Sequence, residues 1–500
     1  MVNALVAIAL AMSLQGPSFR TSAHLVQVNV VVHDKNGPVT NLTKDDFSVT
    51  DHGKAQRISV FSLNTIKFAA NASPLPPNTF SNRPQGPDSS PGSVTVILLD
   101  ALNTLYFGTT FVDSYGPTHF ENEAIGYGKL QLMKFVKDLD PKDRIAIYAL
   151  GKTLRVLCDF TNDPAQLQKV LSGYHDSSMT LADIAEPAPV PHSMSPEFDA
   201  AADAANARLA AKANAGRSSQ TLDALVAIAN HTANIPGRKN LVWLTASLPF
   251  SGPAIARLMS RSNIAIYPVD ARGLVTSFNP LYRPKGLDAM QELADETGGR
   301  AFYNTNDLSN AIRKAVDDSD VSYTLGFYVD SGVLDGKFHD LKIRTDHPGL
   351  EVRYPSGYFA VRDEATVAQR QNRIHSALAS PLESSAIHVL ARVDRGEYDL
   401  HVSGSVDLHD LTLSENGGLR KGVVEVFVVQ QDALGNVLDQ SRSRLNLSLN
   451  GEEYSAYLKS GVFFRQNVRA KVGAATLRIL AGDPASATVG SLIIPISNVK

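Results

Sequence analysis

Val94-Thr95-Val96-Ile97-Leu98-Leu99-Asp100-Ala101-Leu102-Asn103-Thr104 is an apolar run that ends in a carboxylate and then in short polar residues. Seven residues with so little polar alternation fit a strand covered on both faces, as in a parallel α/β sheet. In such sheets ligands collect at the carboxyl ends of strands, near the point where strand order reverses. Asp100 is therefore a site candidate, with Asn103 and Thr104 beside it.

Outward from this strand, short apolar segments alternate with helix-length ones, the texture of βα units. The strands are read as Thr95 to Asp100, Arg144 to Leu150, Leu154 to Phe160, Asn240 to Thr245, Ile264 to Val269 and Arg300 to Asn304. Helices fall at Ala124 to Asp138, Thr221 to His231 and Leu308 to Asp317. The second and third strands are too close for a crossover helix, so that pair should be antiparallel. Residues 93–319 thus read as a doubly wound, Rossmann-like α/β domain carrying an insertion at 173–219. The insertion has a Pro-rich half, Ala185 to Pro191, and an Ala-rich half, Phe198 to Ala215, whose composition favours a helix.

The flanks change texture. Leu25-Val26-Gln27-Val28-Asn29-Val30 alternates with a period near two, and so do Ser322 to Tyr328 and Phe338 to Arg344. Residues 24–66 and 320–362 are each too small to fold alone, so one β-sandwich interrupted by the α/β domain is the economical arrangement. The Pro-, Asn- and Ser-rich stretch 67–92 reads as a linker. A helical connector at 363–384 leads to a C-terminal β-sandwich at 385–500.

Length and composition set outer bounds. Five hundred residues with 43% hydrophobic and 19% charged content describe a folded multidomain chain, and a net charge of -3 argues against nucleic acid as a partner. The segment 1–23 is signal-like: Ala4 to Leu14 is long enough for a secretory core and too short to span a bilayer, so export is expected. No later apolar run reaches about eighteen residues, so no transmembrane span is expected. Cys158 is the single cysteine, which excludes an intrachain disulfide and leaves it a small buried hydrophobe.

Enzyme motifs were weighed and set aside. Gly151-Lys152-Thr153 has Ala146 where a phosphate loop needs its first glycine, and Gly126-Tyr127-Gly128 lacks the third glycine of a dinucleotide fingerprint. There is no G-x-S-x-G elbow and no H-E-x-x-H, and the 13 histidines are scattered in sequence. Trp243 is read as core packing.

The run at 97–104, together with Asp159-Phe160-Thr161-Asn162-Asp163, Ile266-Tyr267-Pro268-Val269-Asp270 and Thr297-Gly298-Gly299-Arg300-Ala301-Phe302, resembles the exported von Willebrand factor A-related proteins described from acidobacteria. Lys35 to Phe47 resembles that family's opening β element, and Tyr323 to Phe359 its closing one. The resemblance covers roughly residues 24 to 362.

It implies a comparison of sites. A von Willebrand A domain binds Mg²⁺ through D-x-S-x-S on one loop, a threonine on a second and an aspartate on a third, because the ion demands an octahedron of hard oxygens. Asp100 matches the first aspartate and Thr104 can replace the second serine, but Leu102 stands at the first serine. Thr221 is the counterpart of the second-loop threonine, while Leu244-Thr245-Ala246-Ser247 stands where the family has Thr-Asp-Gly. With so few charged ligands the expectation is a degenerate metal-ion-dependent adhesion site, with no cofactor and at most weak Mg²⁺ at Asp100, Thr104 and Thr221. Asp270 is expected to cap the turn before Arg272-Gly273.

The functional expectation is an exported, non-catalytic interaction or adhesion module. Its loops, carrying Asp100, Asn103, Thr104, Thr221, Thr245, Ser247 and Asp270, would bind a protein or glycan partner. The alternatives are a Mg-dependent adhesin whose partner's carboxylate completes the shell, and a hydrolase using Asp100 or Asp270.

Overall fold

The computed structural model describes residues 23–65, 75–83, 94–104, 123–175, 196–235, 237–249, 253–274, 286–330, 335–360 and 367–499. Its centre is a five-stranded sheet in the spatial order Ile264–Asp270, Lys239–Thr245, Val94–Asp100, Arg144–Leu150, Leu154–Thr161. All neighbours are parallel except the last pair. Gly151 N donates to Thr153 O at 3.3 Å, so the Gly-Lys-Thr stretch is the turn that reverses this edge strand. The first strand lies in the middle, and the chain leaves it toward Arg144 before returning on its other side at Lys239. The strand order therefore reverses at the carboxyl end of Val94–Asp100, which places Asp100 at the switch point.

Burial explains the unbroken apolar run. Every residue of Val94–Asp100 is buried, as is every residue of Lys239–Thr245 and Ile264–Asp270. Ile97 and Leu99 pack with Leu132, Phe135 and Ile312 on one face, and Val96 and Leu98 with Trp243, Leu225 and Ile228 on the other. At about 25 cal/mol per Å² of apolar area, these two layers dominate the stability of the domain.

Two sequence expectations need correction here. The segment Arg300 to Asn304 is not a strand but a single bridge, Val269 to Phe302. Gly298 ends the helix Leu287–Thr297 at φ 76°, and a Cβ on Gly299 would lie 1.9 Å from Ile266 O, so the chain meets the sheet edge-on. Asn304, at φ 54°, then turns it away. The insertion also lacks an independent boundary at 219. Its Ala-rich half and the segment at Thr221 form one helix, Pro196–His231. The first turns of that helix show no apolar stripe, whereas Ala224, Leu225 and Ile228 bury against the sheet, so packing of the second half anchors the first. The Pro-rich half lies outside the described residues.

On the flanking side, Ala23–Asp34 pairs antiparallel with Val321–Asp330, and Phe47–Asp51 pairs with Phe338–Thr345. The two sheets share one core, with Val30, Val32, Tyr323 and Phe327 facing Val49, Leu341 and Ile343. The C-terminal region encloses a further core of Val389, Val402, Val426, Ile479 and Leu492. Helix Val367–Ala379 packs separately, Ala377 against Leu480 and Val489, and the Arg478 guanidinium donates to the carbonyls of Ala377 and Ser380, the second at 2.8 Å. Those are the exposed acceptors of a helix end, where a cation belongs.

The expected linker at 67–92 is likewise corrected, because Thr79–Ser81 forms an edge strand on Val389–Arg395. Asn82, 7% exposed, locks the junction: its Nδ2 donates to Ser384 O and Ile387 O, both at 2.8 Å, and its Oδ1 accepts from Val389 N at 2.9 Å. Asn82→Ala strands two buried carbonyls and an amide, and should lower unfolding stability by about 2 kcal/mol. Urea denaturation followed by circular dichroism checks this. An unchanged midpoint would mean the segment is not held by that side chain.

Candidate functional site

Asp100, Asn103, Thr104, Thr221, Thr245 and Ser247 are brought together at the switch point. Asp100 is fully buried and its carboxylate is surrounded by donors. Oδ1 accepts from Asn103 N at 3.0 Å, and Oδ2 accepts from Asn103 Nδ2 at 2.8 Å and from the Trp243 indole Nε1 at 2.8 Å. Asn103 Nδ2 also donates to Thr221 Oγ1 at 2.8 Å, whose own proton goes to Arg217 O at 2.8 Å. Thr104 Oγ1 donates back to Asp100 O, and Ser247 Oγ donates to Asn103 O at 2.7 Å. Thr245 Oγ1 donates to Ser247 O at 2.8 Å. The first loop is thus sewn to the fourth strand and to the long helix by side chains from three segments.

The electrostatics follow from the burial. Removal from water raises the Asp100 carboxyl from 3.8 to about 6, and the donors from Asn103 and Trp243 oppose the rise without cancelling it. Leu102, where the resembling family has a serine, is 3% exposed and packs with Leu98, Leu154 and Leu225. The position has become part of the core.

Asp270 stands apart from this network. Arg272 grips it twice, Nε to Oδ1 and Nη2 to Oδ2 at 2.8 Å each, while Arg272 N donates to Oδ1 at 3.0 Å. The carboxylate caps its turn and is neutralised by a fork-on-fork pair.

The expectation that these side chains touch a partner needs restating in physical terms. Asp100, Asn103, Thr104, Thr221, Thr245 and Asp270 are all at most 1% exposed, and only Ser247 is half-buried. They shape the loops from below. Among the described residues, Ser247 and Leu248 are half-buried at this edge, and Leu274, at 47% exposure, and Tyr303, at 37%, face outward. The residue the sequence reading missed is Trp243. It sits on the same face as Leu98 and is readable as core, but the register that sets the fourth strand beside the first also brings its N–H to Asp100.

No family model matches this chain, and no curated protein does. Among solved structures, an aerotolerance-related membrane protein from Bacteroides fragilis, with multiple mutations to serines, is 15% identical. The alignment covers 45% of this chain and 99% of that one at a TM-score of 0.26. The conserved hypothetical protein BatB from Bacteroides thetaiotaomicron is 14% identical, with 46% and 98% covered and a TM-score of 0.26. The ArnB paralog VWA2 from Sulfolobus acidocaldarius is 10% identical, with 82% and 78% covered and a TM-score of 0.24. At these scores the likenesses carry no argument about this chain, and the reading rests on its own residues.

Proposed function

We propose that the chain is an exported, non-catalytic recognition module of von Willebrand A-like design, in which Asp100 serves as an internal pin for the loop crown. The observation that carries this is the trio of N–H groups on the Asp100 carboxylate. Asn103 N, Asn103 Nδ2 and Trp243 Nε1 occupy three of the roughly four lone-pair sites of the carboxylate, both of those on Oδ2 included, so positive hydrogens already surround the oxygens a cation would need. Asp270 is consumed by Arg272 in the same way. The degenerate adhesion site then supports recognition through shape: Leu274 and Tyr303 offer apolar and aromatic surface of the kind enriched at interfaces. The partner is a protein or a glycan. Among the described residues no helix is long and apolar enough to cross a membrane. Export rests on the apolar run Ala4 to Leu14.

One observation favours the second reading, a Mg-dependent adhesin. Asn103 Oδ1 is buried without a hydrogen-bond partner among the described residues, an acceptor that a bound water or cation would satisfy. Calorimetric titration of the chain with Mg²⁺ or Mn²⁺, with and without an acidic peptide, separates the two. The recognition module gives, at millimolar ion, no saturable heat and no change in melting temperature that Asp100→Asn removes. Saturable binding abolished by Asp100→Asn would instead establish the adhesin.

A further inference from the structure

A cluster of metal-ligating side chains lies far from Asp100, in the sheets flanking the α/β domain. Asp51 ends the strand Phe47–Asp51, and the turn His52-Gly53 returns the chain into Lys54–Gln56. Both turn residues have positive φ, 45° and 78°, the geometry of a tight two-residue hairpin. His52 N donates to Asp340 O at 3.0 Å, so the turn is docked on the strand Phe338–Thr345, which carries His339. One ligand atom each from Asp51, His52 and His339 falls within 4.8 Å of the others.

We propose that Asp51, His52 and His339 form a binding site for a divalent transition metal of the zinc type, which staples the hairpin turn to the neighbouring strand. Three features of the geometry support it. First, His339 Nδ1 is 3.3 Å from Asp51 Oδ1, and about 3.3 Å is the edge of a tetrahedron with zinc bonds of 2.0–2.1 Å. Second, the groups behind the ligands are those that orient ligands in metal sites. His339 Nε2 faces Asp335 Oδ1 at 3.3 Å, a carboxylate–histidine arrangement that fixes the ring, and Tyr358 OH donates to Asp51 Oδ2 at 2.8 Å. Third, His339 has a carboxylate oxygen against both ring nitrogens while its side chain is 9% exposed. With a metal on Nδ1 the ring keeps its one N–H on Nε2 to donate to Asp335, so both contacts are satisfied. The His52 ring lies 4.6 Å from that of His339, centroid to centroid, which two charged rings would resist and a shared metal would favour.

The site is open on one side. His52 is 50% exposed and Asp340, whose Oδ2 is 3.9 Å from His52 Nδ1, is 69% exposed. A solvent molecule supplies the fourth position. Two imidazoles with carboxylate suit Zn²⁺ or its first-row neighbours and disfavour Mg²⁺, which prefers oxygen alone.

The test is titration of ZnCl₂ into the full chain after chelator stripping, read by calorimetry and melting temperature, with Co²⁺ absorption as the spectroscopic counterpart. His52→Asn is the variant of choice, because asparagine tolerates positive φ and the turn should still form. The expected result is one equivalent of Zn²⁺, a melting temperature raised by several degrees at a hundredfold excess over Kd, and a tetrahedral Co²⁺ band. In His52→Asn the affinity falls at least tenfold, while the metal-free melting temperature stays close to that of the parent. Absence of saturable Zn²⁺ binding to the parent chain overturns the site. So does binding of equal affinity in His52→Asn, which would place the metal on other residues.

Discussion

Trp243→Ala is expected to lower the unfolding free energy by about 4 kcal/mol, the largest loss of any single substitution at the candidate site. The indole is fully buried between Leu98 and the long helix, so truncation opens a cavity that the strands cannot close. Trp243→Phe separates packing from polarity. It keeps most of the ring but deletes the N–H that Asp100 Oδ2 accepts, a charge-assisted bond worth about 2 kcal/mol. The pH dependence distinguishes this from a packing defect. The folded-state Asp100 carboxyl sits at about 6 against 3.8 in the free residue. The folded state therefore binds the proton more tightly, and stability falls as pH rises between about 4 and about 6, then levels off. Removing the indole donor pushes the folded value further up and extends the falling limb above pH 6. The deficit of Trp243→Phe should thus be larger at pH 7.5 than at pH 4.5, as measured by urea unfolding at both. Equal deficits would mean that the hydrogen bond contributes nothing and that Asp100 is not pinned by Trp243.

Asp318→Ala is expected to cost about 3 kcal/mol, by leaving a largely buried cation with only one exposed partner. Asp318 caps the helix Leu308–Asp317, and its side chain is 4% exposed. Its carboxylate accepts from Tyr267 OH at 2.9 Å, on the α/β sheet, and from the Arg353 guanidinium, on the flanking strand Glu351–Arg353. His33 Nδ1, on the first strand of the chain's β region, is 3.4 Å away. Tyr267 OH also accepts from Arg238 Nη2 at 2.9 Å, which carries the network to the residue just before the neighbouring strand Lys239–Thr245. One carboxylate therefore ties two layers of different architecture. Arg353 keeps only the half-exposed Glu351, 3.0 Å from its Nε, when Asp318 is lost. Trp243 is the single tryptophan, so its fluorescence reports the α/β domain while far-ultraviolet circular dichroism reports the whole chain. The expected result is a lowered midpoint and a separation of the two curves. Coincident curves at the parent midpoint would show that the junction is carried by packing alone.

The legibility of this chain in its sequence followed burial. Val94 to Asp100 announces a strand covered on both faces because apolar residues continue without alternation. The period-two runs around Val28 and Leu325 announce half-covered strands for the opposite reason. The short Gly151-Lys152-Thr153 connection forced an antiparallel edge, since a crossover helix cannot fit. What misled were segments whose state is decided by distant partners. Thr79–Ser81 looks like linker because Pro and Asn surround it, yet it finds an acceptor edge on Val389–Arg395, more than three hundred residues later. Arg300 to Asn304 has strand composition, but Gly299 brings it to the sheet at an angle that allows one bridge.

The candidate site divides along the same line. Asp100, Asn103 and Thr104 were readable because residue type and position at a strand end are local properties, whereas Thr221 and Ser247 were singled out only by the family resemblance. That Asp100 is held by an indole and that Asp51, His52 and His339 meet at all were not readable. Hydrogen-bond lone pairs are directional and short-ranged, so their occupancy depends on register and approach between strands that are neighbours only in space.

By itself, then, the amino-acid order determined the doubly wound centre, its β flanks and the position of the acidic residue at the switch point, through periodicity and burial. Whether that acid presents oxygens to an ion or spends them on its neighbours was decided by the tertiary structure. The reason is that a carboxylate in a low-dielectric interior must be saturated by whichever donors the packing brings within 3 Å, and the sequence does not state which those are.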